Sequence, residues 1–237
     1  ADFRIGFNSL GAWASVNHLH AHILHTSDAV PAPPHLLPVE HAPRKVICEC
    51  DAAIGAPDED DEEEAEGKDG GGGGAAAAAA VMRNVRIRVS ALKGWPVRGL
   101  VFEPMALTDE AVARVEGETA AAAGAVGDAD WLEAVADVAG TYICTLIEKN
   151  VAHNVLVADG GLRVYVLPRQ PQRPLLGGAL HAAIVEVCGL VVLRTAEAFA
   201  GATQNTVFDA LSAEVSLSPE EFTSVTSAFL NMVSSSA

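Results

Sequence analysis

The chain has 237 residues, of which 50% are hydrophobic, and its formal net charge at pH 7 is −16. This length and apolar content allow one large or two small domains with a real core. No apolar run reaches the roughly 18 residues of a membrane span, so we expect a soluble protein with no membrane partner. The acidic balance does not favour a nucleic-acid partner, and the sequence predicts no particular oligomeric state.

The cysteines form neither a disulfide framework nor a zinc-binding spacing. One C-x-C pair and two isolated residues are typical of reduced thiols in the cytosol, and we therefore expect a cytoplasmic protein. These residues are Cys48, Cys50, Cys144 and Cys188.

The chain opens with a predicted strand and a glycine-containing turn, over residues 3–12, and three histidines follow at alternate positions in the run NHLHAH at residues 17–22. In an extended strand, side chains two residues apart share a face and lie roughly 7 Å from each other. This spacing suits a phosphate group. His20 could attack phosphorus while His18 and His22 hold or protonate the surrounding oxygens, since much of a histidine population is neutral at cytosolic pH.

Small polar residues around the turn extend this candidate site. Asn8 and Ser9 stand where the predicted strand enters the turn, and backbone N–H groups of such a turn can reach an anion. Ser15 and Asn17 stand shortly before the histidines. We expect these four side chains to bind substrate, through phosphate oxygens or a ribose, with local capping of the backbone as the alternative.

Residues 48–80 form a predicted disordered insertion. Ten acidic residues fall between Asp51 and Asp69, and five glycines and six alanines follow at residues 70–80. Such a segment has too little apolar surface and too much charge repulsion to fold. We interpret it as a solvated spacer, with a basic partner as the alternative.

The remainder of the chain predicts an α+β fold, because helices appear segregated against an antiparallel sheet. Residues 85–89 and 99–102 predict a pair of strands. Apolar residues recur at helical spacing over residues 128–150, which should form the longest helix, with Asp128 or Asp130 as its N-cap. Residues 151–158 and 162–168 predict a hairpin around Asp159-Gly160-Gly161. A further strand is predicted at residues 181–193 and terminal helices at residues 196–213 and 219–233.

An ordered series of motifs resembles one known family. The run FRIGFNSLGAWASVNHLHAHIL at residues 3–24 is similar to the histidine-triad superfamily of nucleotidyl hydrolases and transferases and, within it, to the GDP-L-galactose phosphorylases. Later runs are similar to motifs of the same family in the same order: LPVEHAP at residues 37–43, WPVRGLVFE at 95–103, NVLVAD at 154–159, EVCG at 186–189 and AEVSLS at 213–218.

The resemblance implies histidine-triad-like antiparallel sheets packed with helices, in two related halves of which the first is truncated. Residues 1–47 would be the C-terminal remnant of the catalytic half, and residues 81–237 would be the second half. The family carries a long region ahead of the histidine motif. We therefore expect this chain to be the C-terminal part of a longer enzyme, or the product of a gene model with a missing exon.

The implied reaction is nucleotidyl transfer in ascorbate biosynthesis. GDP-L-galactose and inorganic phosphate would give L-galactose 1-phosphate and GDP, with no cofactor and no metal, through a guanylyl group carried on His20. By the same resemblance, His18 would orient or polarise the phosphate, and His22 would touch the leaving or bridging oxygen.

Position 22 leaves other functions open. The phosphorylases of this branch usually carry glutamine there and the hydrolases carry histidine, so a histidine-triad nucleotide hydrolase is one alternative and a GDP-D-glucose phosphorylase is another. Glutamine donates an N–H without titrating, whereas an imidazolium is a charged acid. Alternatives of a different class are a metal site on His18, His20, His22 and His25, or a non-catalytic interaction module.

Overall fold

A computed structural model describes residues 3–14, 20–30, 36–54, 83–105 and 128–235. Three predicted site residues, Ser15, Asn17 and His18, lie outside these ranges, as does most of the predicted insertion. No helix within the described ranges combines the length and the apolar character needed to cross a membrane.

Seven described strands form one antiparallel sheet. Their bounds are Phe3–Asn8 (β1), Ala21–His25 (β2), Arg44–Ile54 (β3), Arg83–Leu92 (β4), Leu100–Pro104 (β5), Ala152–Ala158 (β6) and Arg163–Arg169 (β7). Their order across the sheet is β2-β1-β6-β7-β5-β4-β3. The hairpin of β1 and β2 therefore forms one edge of the sheet and joins the rest through β6.

Helices pack on both faces of this sheet. In chain order they are Thr26–Ala29 (α1), Asp128–Glu148 (α2), Ile184–Val187 (α3), Ala196–Gly201 (α4), Gln204–Glu214 (α5) and Pro219–Ser235 (α6). On one face, α2 and α6 bury a cluster in which Phe102, Tyr142 and Phe229 have ring centroids 5.2 to 5.9 Å apart. On the other face, α3, α5 and a 3-10 turn at Pro38–His41 cover Leu156 and Leu167.

The predicted α+β class is confirmed, because helices pack against an antiparallel sheet. The helix predicted over residues 128–150 is α2, the longest described helix at 21 residues. The predicted strand pair is β4 with β5, and the predicted hairpin is β6 with β7. Its turn places Gly160 and Gly161 at φ of 69° and 104°, a region that glycine enters without a Cβ clash.

The predicted start of the insertion at residue 48 is wrong. Strand β3 continues to Ile54, and the pairing of Ala52 with Val85 lies within its ladder with β4. The alternating apolar residues of this segment face the α2 side of the sheet, which explains why they order despite the acidic run that follows. Residues 55–82 lie outside the described residues.

Two further segments differ from prediction. Residues 181–193 do not form a strand but contain α3, because the Glu186 carboxylate accepts the Ala183 N–H at 3.1 Å at the start of that helix and Gly189 then turns the chain at φ 104°. Residues 196–213 form α4 and α5 rather than one helix. Thr195 and Thr203 each cap a new helix through their side-chain oxygens, and such caps favour a helix start.

Residues 1–47 and 81–237 contribute to the same sheet within the described ranges, since β1 pairs with β6 and β3 pairs with β4. The division of the chain into two related, histidine-triad-like halves stays a prediction.

A buried ion pair connects β1 to the 3-10 turn. Nε and Nη2 of Arg4 donate to the two carboxylate oxygens of Glu40 at 2.9 and 3.0 Å, and both side chains are almost fully buried. Oε1 of Glu40 also accepts the Leu37 N–H at 2.8 Å. Bidentate geometry of this kind offsets the cost of desolvating both charges. The pair therefore defines where the turn docks on the sheet.

We expect Glu40→Gln to lower the free energy of unfolding by about 3–5 kcal/mol, because it leaves the buried Arg4 guanidinium without a counter-charge. Urea unfolding followed by circular dichroism measures the loss.

The matched control is Asp51→Asn, which removes the carboxylate of the exposed Arg86–Asp51 pair, where Nε and Oδ1 lie 3.1 Å apart. We expect that change to cost less than about 1 kcal/mol. Equal losses in the two variants would contradict the role given to the buried pair.

Candidate active site on the first hairpin

The pairing of β1 with β2 brings the histidines beside the end of β1. His22 pairs with Gly6, and the two strands run antiparallel. Directly paired residues of antiparallel strands point to the same face of the sheet. His22 therefore lies on the face that carries Gly6 and Asn8, opposite the face covered by α2.

His20 and His22 lie together at the start of β2. Their ring centroids are 5.3 Å apart and the ring planes are inclined at 73°. His22 is exposed, whereas His20 is half-buried and its Nε2 atom is buried. The structure thus brings together two of the three predicted histidines. The role of each predicted site residue stays a prediction.

The side chain of Asn8 contacts His22. Its Nδ2 lies 3.4 Å from Nε2 of His22. Its Oδ1 accepts hydrogen bonds from Nδ2 of Asn154 at 2.6 Å and from the backbone N–H of Ile184 at 2.8 Å. Asn8 is buried, so it supports His22 from beneath and presents its amide nitrogen to that ring.

Two residues beneath Asn8 were not predicted as site residues. Asn154 lies on β6 opposite Asn8, and its Nδ2 also lies 3.3 Å from the Ala12 carbonyl oxygen. Arg169 ends β7 and donates through Nη1 to Oδ1 of Asn154 at 3.3 Å and to the Ala182 carbonyl. The available signal was a polar residue within an otherwise apolar strand, which is unusual in a core.

Burial shifts the pKa values of two charged side chains beneath the asparagine pair, Arg169 and Glu186. Burial lowers the pKa of Arg169 to about 10, and the negative charge of Glu186 acts in the opposite direction. Burial raises the pKa of Glu186, while hydrogen bonds from backbone N–H groups and the charge of Arg169 oppose that shift. At neutral pH the guanidinium stays protonated, so a cation lies under the asparagine pair.

Ser9 joins β1 to β6 through its side chain. Its Oγ accepts the backbone N–H of His153 at 2.7 Å, and its own N–H donates to the His153 carbonyl at 3.0 Å. The hydroxyl also donates to the Leu10 carbonyl at 3.3 Å. Ser9 therefore caps the local backbone, which the sequence analysis gave as the alternative to substrate binding. A contact between Ser9 and substrate stays a prediction.

The turn after β1 is held in an unusual conformation. Gly11 and Trp13 have φ of 79° and 67°, and a positive φ is strained for a bulky side chain. The Trp13 ring stacks on His181 with centroids 4.0 Å apart and planes 13° apart, and the backbone N–H of Trp13 donates to Oε1 of Gln172. Contacts from the distant loop at residues 172–181 thus direct the chain toward the histidines.

An apolar cavity of about 740 Å³ adjoins the same turn but lies apart from the histidine pair. Its walls include Phe7, and Phe7 and Asn8 point to opposite faces of β1. Burial lowers the pKa of His153, which lines this cavity, so its imidazole is neutral at physiological pH. The other apolar lining side chains are Leu10, Ile143, Ile147, Val151, Ala152 and Pro171.

Within the described ranges, no three His, Cys, Asp or Glu side chains converge as a metal ion requires. Nδ1 of His25 lies 2.8 Å from Oγ of Ser27, and its ring lies 4.7 Å from that of Phe3. Since His18 is not among the described residues, the metal alternative stays a hypothesis.

The fold and the site together define an α+β protein whose antiparallel sheet carries a histidine pair on a buried amide network. Residues 75–236 match the family model described as GDPGP1-like, C-terminal domain. The chain belongs to this GDPGP1-like C-terminal domain family.

Curated relatives extend the similarity to the first hairpin. The chain is 26% identical over 233 residues to GDP-L-galactose phosphorylase 1 of Arabidopsis thaliana, covering 94% of this chain and 38% of that protein. GDP-L-galactose phosphorylase 2 of the same plant is 25% identical, with 94% and 39% covered. GDP-D-glucose phosphorylase 1 of Bos taurus is 26% identical over 248 residues, with 98% and 47% covered. The chain thus spans less than half the length of these relatives, and no solved structure matches it.

Gly6 allows α3 to pack closely on β1. A Cβ at this position would lie 2.9 Å from Cγ2 and 3.0 Å from Cγ1 of Ile184. We expect Gly6→Ala to lower the free energy of unfolding by about 1–3 kcal/mol through overpacking. Because Ile184→Ala removes the clashing atoms, the double variant should lose less than the sum of the single losses. Urea titration of the four proteins measures this.

Gly140→Ala is the matched control. Nothing lies within 4 Å of a Cβ at position 140, and alanine is favoured over glycine inside a helix by about 1 kcal/mol. That variant should be as stable as the wild type or more stable. Strictly additive losses for positions 6 and 184 would show that the two side chains do not compete for space.

Proposed function

We propose that the protein is a GDP-hexose phosphorylase that converts GDP-L-galactose and inorganic phosphate to L-galactose 1-phosphate and GDP. The observation that carries this proposal is the histidine pair, in which the rings of His20 and His22 lie 5.3 Å apart and Asn8 supports His22. Membership of the family and the names of the relatives support the substrate class. GDP-D-glucose is the second candidate substrate, because the bovine GDP-D-glucose phosphorylase is similar to the same degree.

In the proposed mechanism, a ring nitrogen of His20 attacks the phosphorus of the GMP moiety. The bond from that phosphorus to the oxygen of the hexose phosphate breaks, and hexose 1-phosphate leaves with the electron pair. Inorganic phosphate then attacks the guanylyl-histidine, the N–P bond breaks, and GDP leaves a free imidazole. Two displacements at a histidine divide one difficult transfer into two easier steps.

Neighbouring donors would stabilise the charge on the phosphoryl oxygens. His22 lies beside His20 and would donate an N–H to a phosphoryl or leaving oxygen. His18, Ser15 and Asn17 would complete the phosphate or ribose contacts. Preorganised donors of this kind usually make the largest single contribution to such transfers. Because Nε2 of His20 is buried, attack through that atom would follow a movement of the side chains that cover it.

The same intermediate also permits hydrolysis, since water in place of phosphate would release GMP. A histidine-triad nucleotide hydrolase is therefore the second reaction type in the proposal. We place the phosphorylase reaction in the cytoplasm, on the pattern of the cysteines, and in ascorbate synthesis, on the resemblance alone. By the same resemblance, residues 1–47 and 81–237 belong to two related halves.

We expect the full-length protein, given a GDP-hexose labelled in its guanosine and no phosphate, to acquire an acid-labile guanylyl group on His20. His20→Asn should lose this adduct and at least about a thousandfold in kcat/KM, because it removes the nucleophile. Acid-quenched gels and peptide mass spectrometry locate the label.

His41→Asn is the matched control, because it makes the same substitution at an exposed histidine of the 3-10 turn. It should keep both the adduct and the rate. Wild-type turnover in His20→Asn would refute the assignment of the nucleophile.

The metal alternative makes the opposite prediction about chelators. If the histidines are catalytic, EDTA or 1,10-phenanthroline should leave turnover largely intact, because neither displacement needs an ion. Elemental analysis of the purified protein should then find no stoichiometric zinc or copper. Stoichiometric metal that disappears in a His18→Ala, His22→Ala variant would favour a metal site instead.

A further inference from the structure

We infer that Asn8, Asn154 and Arg169 are positioning residues that select one tautomer of the neutral His22 ring, the one with its proton on Nδ1. The geometry of this inference is independent of the reaction, whereas its consequence for catalysis rests on the proposed phosphorylase function. None of the three residues needs to touch the reacting atoms. Each acts on His22 through the next side chain in a continuous series of hydrogen bonds.

The series begins with a group that can only donate. The guanidinium of Arg169 has no acceptor atom, and its Nη1 lies 3.3 Å from Oδ1 of Asn154. On its other side, the Asn154 amide faces the Ala12 carbonyl at 3.3 Å, and a carbonyl can only accept. The two ends of the Asn154 amide are therefore assigned without ambiguity, since a flipped amide would bring donor against donor and acceptor against acceptor.

Asn8 is assigned by the same reasoning. One end of its amide receives the Ile184 backbone N–H at 2.8 Å and the Asn154 NH2 group at 2.6 Å. Both neighbours donate, so this end is the oxygen Oδ1. The NH2 group of Asn8 must then point the other way, toward Nε2 of His22 at 3.4 Å.

The ring nitrogen that meets this NH2 group must accept. An amide nitrogen has no lone pair to offer, so a proton on Nε2 of His22 would place two N–H groups against each other. The neutral ring consequently carries its proton on Nδ1. Which nitrogen of a histidine is protonated follows from the bond that the other nitrogen makes.

Burial of these three side chains keeps both amides in the assigned orientation. The exposed fractions of Asn8, Asn154 and Arg169 are 3%, 0% and 1%, and a buried polar group that loses its partner is costly. A flip of either amide would break two or more of these bonds at once. A rigid buried network thus presents a fixed hydrogen-bond donor to the exposed His22 ring.

The tautomer defines what His22 can do beside a guanylyl-histidine. Its remaining donor is the Nδ1–H, which can hold a phosphoryl oxygen as a neutral hydrogen-bond donor. A neutral donor stabilises the developing charge without transferring its proton. The network therefore assigns His22 an electrostatic role and leaves the nucleophilic role to His20.

Nitrogen NMR of the 15N-labelled chain tests the tautomer directly. In a two-bond 1H–15N correlation spectrum at alkaline pH, where imidazoles are neutral, Nε2 of His22 should show the shift of an unprotonated nitrogen and Nδ1 that of a protonated one. The His22→Gln spectrum assigns these signals by their loss, and the exposed His41 serves as an internal reference. A proton on Nε2, or equal mixing of both tautomers, would overturn the inference.

Asn8→Asp tests the cause. This variant keeps Oδ1 for Ile184 and Asn154 but replaces the donor with a carboxylate oxygen, so the proton of His22 should move to Nε2. Asn205→Asp, at an exposed position of α5, is the matched control and should leave the spectrum of His22 unchanged. An Asn8→Asp protein that folds by circular dichroism and keeps the wild-type tautomer would contradict the series. The wild-type spectrum decides the inference if the variant fails to fold.

Kinetics test the consequence. Glutamine at position 22 can accept from Asn8 through its carbonyl and donate through its NH2 group, whereas phenylalanine can do neither. His22→Gln should keep kcat within about tenfold of wild type, and His22→Phe should lose about a hundredfold or more, the usual cost of one lost donor. Equal losses would overturn the donor role. A wild type without phosphorylase activity would refute the proposed function, while the tautomer spectrum would still stand or fall by itself.

Discussion

The antiparallel pairing of β1 with β6 holds the candidate site onto the protein. Asn8 pairs with Asn154 across 146 positions of sequence, and their side chains form a hydrogen bond directly beneath the histidine pair. A register slip of one residue would move every side chain of β1 to the other face. Asn8 would then point toward α2, away from His22. The position of Asn8 beneath the histidine pair therefore depends on the register of one strand pair.

The two faces of the sheet bury different kinds of side chain. The face under α2 and α6 is packed with aliphatic and aromatic side chains, whose removal from water favours folding. The other face also buries ionic and amide groups, among them Arg4, Glu40 and Arg169. Such groups add little net stability because desolvation offsets their attraction. Their directional bonds instead define where the loops of the second face dock, which is the face that carries the site.

The two histidines of the pair lie in different surroundings. His22 is exposed but receives a hydrogen bond from the buried interior, while His20 lies half-buried at its side. A nucleophile and a charge-stabilising neighbour need different environments, and adjacent positions on one strand end can supply both. In the proposed function, family membership and the names of the relatives support the substrate class, and the different surroundings of the two rings support different roles for His20 and His22.

Local sequence by itself determined the elements whose signals are local. Glycine conformation and apolar periodicity predict the Asp159–Gly161 turn, the long amphipathic α2 and the alternation of β1. The spacing of the histidines indicated the candidate site. The tertiary structure decided what depends on distant partners. Residues 181–193 became α3 and loops because Glu186 and Gly189 act within a packed face, and residues 48–54 became strand because β4 pairs with them. The positions of Asn154 and Arg169 beneath His22 arise from strand order, which no local pattern contains.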